Sequence, residues 1–122
     1  MIATENRHYA VSDTYNRKLT LKYKGEIIAY SERALILKEV ANTVYNPVFY
    51  IPKEDILIAL EKEPQRKSYC PIKGDATYWN LKKNSTDDYF AWSYEASLPR
   101  TKKIEGHIAF NSAYITFISE PL

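Results

Sequence analysis

The stretch "DATYWNLKKNSTDDYFAWSY", residues 75–94, decides the fold class. In each half of it, side chains alternate with a period of two, which is the pattern of a half-buried β-strand. The residues predicted to share a face are Thr77, Trp79 and Leu81 in the first half and Phe90, Trp92 and Tyr94 in the second. Between the halves, "NSTDD" at 84–88 is rich in turn-forming residues. The stretch therefore predicts an antiparallel hairpin.

The period of two continues on both sides of this hairpin. "KLTLKYK" at 18–24 and "EIIAY" at 26–30 predict a second hairpin that turns at Lys24-Gly25. Residues 42–55 contain Pro47 and Pro52, which exclude a central strand and indicate an edge strand or a bulged loop. Further strands are predicted at 33–38, with both faces buried, and at 104–111, interrupted by Gly106. Strands are also favoured at 55–60 and 113–119, where a single helical turn is the alternative in each case.

Length and composition indicate one globular domain. The chain has 122 residues, of which 45% are hydrophobic and 26% charged, values typical of a folded protein. Turn signals recur at roughly 8- to 12-residue intervals, as in all-β sandwiches and barrels. We expect residues 1–16 to form a polar N-terminal arm and residues 17–122 to form a single all-β domain.

Charge and cysteine content exclude several classes of protein. The net charge is +2, and the basic residues are scattered in pairs, whereas a dedicated duplex-DNA binder presents a stronger positive field. One cysteine cannot form an internal disulfide, and no Cys/His set has zinc spacing. We therefore expect no metal and no cofactor. With neither a signal-peptide pattern nor about 20 consecutive apolar residues, the chain is expected to be soluble, cytoplasmic and without a membrane partner.

The stretch "SYCPIKGDATYW", residues 68–79, contains the one cysteine and predicts a rigid turn. Pro71 opens this turn, and Gly74 permits the positive φ that closes it. Lys73 is then held near its tip, where backbone N–H groups and one ammonium group can face an anion. The spacing is not that of a phosphate-binding P-loop. Lys73 is therefore a candidate ligand-binding residue.

Cys70 has two interpretations. As a nucleophile it would need a neighbouring cation to lower its pKa, and Lys73 and His107 are the candidates, with Asp55 or Asp75 orienting the histidine. As a small buried apolar residue at a strand end it needs no partner. The second interpretation is favoured, because such residue types occur together in most chains by chance. The other histidine, His8, lies in the polar arm and is assigned no role.

The chain is rich in aromatic residues, with eleven tyrosines and two tryptophans. Most of them must be core residues, because each buries a large apolar area. Buried tyrosine and tryptophan also need hydrogen-bond partners, so some are expected to line a concavity. The residues proposed for this pocket are Tyr50, Tyr78, Trp92 and Tyr94.

Four blocks carry a resemblance to a known family. They are "YIPKEDI" at 50–56, "CPIKGDATYW" at 70–79, "AWSYE" at 91–95 and "IEGHIAF" at 104–110. In this order they resemble the signatures of domain-of-unknown-function family 427, over about residues 18–118. The shared positions are Tyr50, Pro52, Asp55, Cys70, Pro71, Lys73, Gly74, Ala76, Tyr78, Trp92, Tyr94, Gly106 and His107. The Cys-Pro-x-Lys-Gly block is the most specific of them.

The resemblance implies a compact all-β fold, tent-like, with two antiparallel sheets meeting along one side. Its relatives bind zinc through cysteine pairs that this chain lacks, so the metal does not carry over. The family is sometimes labelled nucleotidyltransferase-like, without a reaction that can be transferred to this chain. Glu95 stands where the family often has proline, which alters the loop beside the expected pocket.

Three functions follow from these observations. The favoured one is the binding of an unidentified small anionic or planar molecule by Tyr50, Asp55, Cys70, Lys73, Tyr78, Trp92, Tyr94 and His107. The second is an enzyme, either Cys-dependent or nucleotidyltransferase-like, with Cys70, Lys73 or His107 as catalytic candidates. Nucleotidyl transfer needs clustered carboxylates for Mg²⁺, for which Asp55, Asp75, Asp87 and Asp88 are available.

The third function is an interaction module for single-stranded nucleic acid or protein. Exposed Trp79, Tyr89 or Tyr78 beside Lys82 would stack on bases and contact phosphates. Nucleic acid is not the favoured partner, because the basic residues are dispersed. Self-association into a homo-oligomer is left open by the sequence.

Overall fold

The computed structural model describes residues 8–81 and 87–122. Within them the chain forms ten β-strands and two short 3₁₀ helices, Lys53–Asp55 and Pro99–Ile104. The strands are β1 (Tyr9–Thr14), β2 (Lys18–Tyr23), β3 (Glu26–Ser31), β4 (Leu35–Val40), β5 (Val48–Tyr50), β6 (Leu60–Cys70), β7 (Gly74–Leu81), β8 (Ala91–Ser93), β9 (Ile108–Phe110) and β10 (Ile115–Glu120). The predicted all-β class is confirmed. In the described part of the chain, no helix is long and apolar enough to cross a membrane.

The strands divide among three antiparallel sheets, where two were expected. Their orders are β1-β4-β5, β10-β2-β3 and β6-β7-β8-β9. The N-terminal half contributes to two separate sheets because β4 pairs with β1 rather than with the preceding β3. Beyond β3, the described chain continues that sheet only through an isolated bridge between Ala29 and Ile56.

Both predicted hairpins are present. Strands β2 and β3 are joined at Lys24 and Gly25, which both have positive φ. Strands β7 and β8 pair with Thr77 opposite Ser93, although residues 82–86, which include part of the predicted "NSTDD" turn, lie outside the described residues. The prediction that Phe90 shares a face with the other apolar residues in the second half of this hairpin is wrong. Because Tyr89 has a positive φ, the chain turns there and Phe90 lies before β8.

The four-stranded sheet has an apolar cluster on each face. On one face, Trp79 and Ala91 belong to a cluster with Leu19, Leu21, Ile28, Ile51, Phe90 and Phe110. On the other face, Tyr78 and Trp92 belong to a second cluster with Leu37, Tyr50, Tyr94, Ile104 and Ala109. Successive residues of a strand point to opposite faces, so neighbours such as Tyr78 and Trp79 serve different cores. The second cluster lies against the predicted turn and positions the candidate site.

Several predicted strands differ in extent. The 55–60 segment is not a strand; Ile56 makes only the bridge described above, and β6 begins at Leu60. Strand β6 then runs through Pro64 to Cys70. Its register with β7 shifts between Glu63 and Ser68. A proline is tolerated there because β6 is an edge strand with a local bulge.

Two further differences concern β4 and β9. Strand β4 is not buried on both faces: Lys38 is exposed and pairs with Asp13 of β1 at 3.0 Å. The predicted 104–111 strand is reduced to β9, because residues up to Ile104 form a 3₁₀ helix that opens at Pro99. Within the predicted N-terminal arm, Tyr9–Thr14 form β1 and pair along their whole length with β4.

Candidate functional site

The predicted turn between β6 and β7 is formed as expected. The Lys73 N–H donates to the Cys70 carbonyl at 3.2 Å, and Gly74 has a φ of +103°. A Cβ at Gly74 would lie 3.3 Å from the Ala96 carbonyl oxygen, so both conformation and space favour glycine. The Leu98 N–H donates to the Lys73 carbonyl at 3.1 Å. The turn is thus fastened to the loop before the second 3₁₀ helix.

Lys73 points inward and is paired within the chain. Its Nζ lies 2.8 Å from Oε1 of Glu39 on β4, and the two side chains are only 12% and 13% exposed. The other carboxylate oxygen, Oε2, lies 2.8 Å from Nε2 of His8. His8 directly precedes β1, whose pairing with β4 brings it beside Glu39. Three groups from different parts of the chain therefore form one hydrogen-bonded chain, Lys73–Glu39–His8.

Sequence reasoning identified Lys73 but missed Glu39 and His8. Neither belongs to a signature block or a recognisable motif. The signal that would have found them is the antiparallel pairing of Tyr9 with Val40, which the short polar segment around His8 did not suggest. Their proximity depends on strand register, which is set by packing rather than by local residue type.

Buried phenols surround the Lys73 ammonium. Tyr50 is completely buried and Tyr94 is 7% exposed. Lys73 Nζ lies 5.3 Å from the centre of the Tyr94 ring, within the range of a cation–π interaction. Trp92 donates its indole N–H to the Tyr50 hydroxyl at 3.4 Å. These predicted pocket residues are brought together, but as the packed wall of the second cluster.

Burial and pairing set the ionisation of this group. Burial opposes the charge of Lys73, but attraction to the ionised forms of Tyr50 and Tyr94 and to Glu39 outweighs it, so its pKa is raised. Burial likewise opposes ionisation of Glu39, yet the hydrogen bonds from Lys73 and His8 hold its pKa below the usual value. Burial raises the pKa of both Tyr50 and Tyr94. At neutral pH the site contains an ion pair beside neutral phenols.

Cys70 lies in the same group. It is half-buried and not in a disulfide. One donor atom each from His8, Glu39 and Cys70 lie within 4.8 Å of one another, and this is the one such set of potential metal ligands among residues 8–81 and 87–122. The histidine that the structure brings to Cys70 is therefore His8, whereas sequence reasoning named His107.

A cleft of about 530 Å³ opens beside the turn. It is lined by His8, Pro71, Ile72, Leu98, Pro99 and Arg100. Arg100 approaches the His8 main-chain carbonyl, with its Nη1 at 3.5 Å. The cleft thus combines an apolar wall from the turn and the 98–99 segment with two basic side chains.

Asp55 and His107 lie elsewhere. The Asp55 carboxylate accepts from the buried Ser31 hydroxyl at 2.7 Å and pairs with Arg33. His107 contacts the Glu105 carbonyl through Nδ1 at 3.1 Å. It lines a separate cleft of about 320 Å³ with Arg33, Pro52, Lys53, Glu54, Glu105 and Gly106. The residues shared with the family therefore lie at two separate places, one around the Cys70–Gly74 turn and the other around Asp55 and His107.

The remaining candidates have local partners. The Tyr78 ring packs in the second cluster, while its hydroxyl hydrogen-bonds that of Ser68 at 2.8 Å. Glu95, the departure from the family resemblance noted above, accepts from Lys53 Nζ and from the Ser93 hydroxyl, both at 2.5 Å. Glu95 therefore links the chain after β8 to the 3₁₀ helix Lys53–Asp55 by an ion pair.

The four aspartates considered for Mg²⁺ have different partners. Asp55 has those given above, Asp87 accepts from the Tyr23 hydroxyl, and Asp88 pairs with Arg66 at 3.2 Å. Asp75 lines a further cleft along β6 and β7. This distribution does not resemble the clustered carboxylates of a nucleotidyl-transfer site.

Of the aromatic residues considered for nucleic acid, Tyr89 is exposed, at 49%. The Arg66 guanidinium carbon lies 3.9 Å from the centre of the Tyr89 ring, so this ring is already stacked. Trp79 packs against the first cluster, and Lys82 lies outside the described residues.

The chain belongs to the family described as domain of unknown function DUF427, whose model matches residues 11–120. Among curated proteins, none matches this chain. The resemblance found in the four blocks is thus confirmed over nearly the whole chain. Membership in this family specifies neither a reaction nor a ligand.

Proposed function

We propose that this DUF427 domain binds a small anionic molecule with an apolar body in the cleft beside the Cys70–Gly74 turn. The observation that carries the proposal is the presence of Arg100 and His8 on the same cleft as the apolar Pro71, Ile72 and Leu98. Ligand sites are commonly concave, largely apolar and equipped with a few polar groups that orient the ligand. The volume of about 530 Å³ is in the range of such sites.

Arg100 favours a ligand that carries a negative charge. Its guanidinium is ionised at any physiological pH and can donate two parallel hydrogen bonds to a carboxylate or a phosphate. Its described contact is the long one to the His8 main-chain carbonyl, which leaves donors directed to solvent. His8 lines the same cleft and supplies a second donor. An anion held by these two residues would be bound without displacing the buried ion pair.

Lys73 has an indirect role in this proposal. It is bound to Glu39 at 2.8 Å and is nearly buried, so a ligand would have to break that ion pair to reach it. Instead, Lys73 fixes the Glu39 carboxylate, which in turn holds the His8 ring at the cleft. Lys73 is thus a positioning residue. The aromatic residues Tyr50, Trp92 and Tyr94 support it from behind and do not stack on the ligand.

The cytoplasm is the compartment that we propose for this activity. Cys70 is free, and an unpaired thiol is typical of proteins kept in a reducing compartment. The basic groups of the cleft also suit the anionic metabolites of such a compartment.

The test uses phenyl phosphate as a probe, because it combines an anion with an apolar ring. We expect amide shifts of ¹⁵N-labelled protein at Ile72, Leu98 and Arg100 on titration. Arg100→Gln should weaken binding by about tenfold or more, the loss expected for a charge-assisted hydrogen bond. Lys103→Gln, an exposed change in the same 3₁₀ helix, is the matched control. Shifts outside the cleft, or equal binding by both variants, would overturn the proposal.

A further inference from the structure

We propose that His8, Glu39 and Cys70 form a binding site for a thiophilic divalent cation, with Zn²⁺ as the best-fitting ion. Their donor atoms lie within 4.8 Å of one another. They come from three separate elements, the segment before β1, strand β4 and the end of β6. All three side chains are partly buried, so the site is shielded without being closed. This inference goes beyond anion binding and does not depend on it.

The donor set determines the class of ion. A cysteine thiolate, an imidazole nitrogen and a carboxylate oxygen together favour Zn²⁺, whereas Mg²⁺ and Ca²⁺ prefer oxygen ligands alone. Three protein ligands leave a fourth tetrahedral position for water or another molecule. Because His8 also lines the cleft, that fourth position is expected to face it.

The spacing is close to that of a formed site. Typical Zn–S and Zn–N bonds are about 2.3 and 2.1 Å, so at the tetrahedral angle two such ligand atoms lie about 3.6 Å apart. The largest separation here is within 4.8 Å, and a small rotation of the His8 and Cys70 side chains would close it. The His8 Nε2 and Glu39 Oε2 atoms are already only 2.8 Å apart. A cation would replace the proton that they share.

Lys73 has two opposite effects on the binding of a metal ion at this site. It binds Oε1 of Glu39 and leaves Oε2 as the ligand atom, as outer hydrogen-bond partners of metal ligands commonly do. Its own positive charge repels a cation. Since the thiolate and the carboxylate carry two negative charges, Zn²⁺ together with Lys73 leaves one net positive charge at the site. Removing the lysine charge is therefore expected to increase the affinity for the metal.

The experiment is a titration of the full chain, freed of metal by chelator, with Co²⁺ and then with Zn²⁺, in buffer without phosphate or other added anions that bind metal. We expect a thiolate-to-cobalt charge-transfer band that saturates at one equivalent and is removed by Zn²⁺. His8→Ala and Glu39→Gln should each weaken Co²⁺ binding by about tenfold or more. Lys73→Gln should strengthen it. His107→Ala, which removes the other histidine, is the matched control and should change nothing.

Three outcomes would overturn the inference. One is the absence of a thiolate band in the unmodified chain. Another is a band that is unchanged in His8→Ala and Glu39→Gln, since Cys70 alone would then bind cobalt adventitiously. The third is an equal loss in His107→Ala. Because the probe is the metal alone, none of these results bears on the binding of phenyl phosphate at Arg100.

Discussion

Lys73 and Glu39 form an ion pair in which each partner stabilises the charge of the other. Both side chains are nearly buried, and charges in such places are stable only when paired. An exposed pair is different, because water solvates each partner alone. The pair Lys38–Asp13, with side chains 57% and 53% exposed, gives an internal comparison, because Lys38 precedes Glu39 on β4.

We expect Lys73→Met to lower the free energy of unfolding by about 2–4 kcal/mol, because it leaves Glu39 without its cationic partner. Lys38→Met should cost less than about 1 kcal/mol. Urea denaturation followed by tryptophan fluorescence measures both. The double variant Lys73→Met/Glu39→Gln should recover much of the loss. If the two single variants are equally stable, the ion pair does not have the energetic role assigned to it.

The ionisation of Glu95 is expected to make the stability of the fold depend on pH. Burial opposes its ionisation, but hydrogen bonds from Lys53 and Ser93 outweigh this and lower its pKa. A carboxyl group whose pKa is lower in the folded state stabilises the fold above its unfolded pKa. That contribution is lost as the pH falls through the folded value. Thermal unfolding between about pH 3 and 6 should therefore show a steeper acid loss in the wild type than in Glu95→Gln.

The control for this prediction is Glu26→Gln, an exposed glutamate at the start of β3. It should leave the acid slope unchanged. Parallel stability curves for Glu95→Gln and the wild type over the whole range would contradict the prediction. They would indicate that the ion pair with Lys53 forms equally well in the unfolded chain.

At the scale of elements, the strands differ in how firmly they are bound. Strand β7 lies between β6 and β8 and contributes to both apolar clusters. Strand β1 pairs only with β4 in its sheet, and its side chains are exposed or half-buried. Since local opening is easiest where few apolar contacts are broken, the part of the chain that holds His8 should be the more dynamic.

We expect amide hydrogen exchange to be slowest in β7 and markedly faster in β1. Exchange measured by NMR at neutral pH resolves the two strands. Strand β2, which lies between β10 and β3, serves as an internal reference for a central strand and should be protected like β7. Equal protection of β1 and β7 would show that the N-terminal strand opens only with the whole domain. His8 would then be fixed as rigidly as Cys70.

At the scale of the whole molecule, the central sheet is shared by two cores. Trp79 and Ala91 face one cluster, while Tyr78 and Trp92 face the other. The site lies at the second cluster, with Tyr50 and Tyr94 packed behind Lys73. A change in that cluster therefore reaches the site through direct contact. The first cluster is separated from it by the thickness of the sheet.

Some elements of the fold could be predicted from short sequence patterns. The alternation in residues 75–94, the turn residues at Lys24-Gly25 and the Pro71-to-Gly74 turn each depend on neighbours in sequence. The same logic failed for residues 55–60, where β-branched residues predicted a strand but Ile56 makes only an isolated bridge and β6 begins at Leu60. It also failed for Phe90, because the positive φ of Tyr89 is not encoded in a glycine.

The sequence by itself determined the all-β class, the two hairpins, the rigid turn that presents Lys73, and the family. These features depend on residue type and spacing over short distances. Only the tertiary structure decided that Lys73 is paired with Glu39, that His8 rather than His107 lies beside Cys70, and that Arg100 borders the same cleft. These groups are separated by 31 to 92 residues along the chain. Their meeting depends on the pairing of β1 with β4 and on the packing of sheets, which no local pattern specifies.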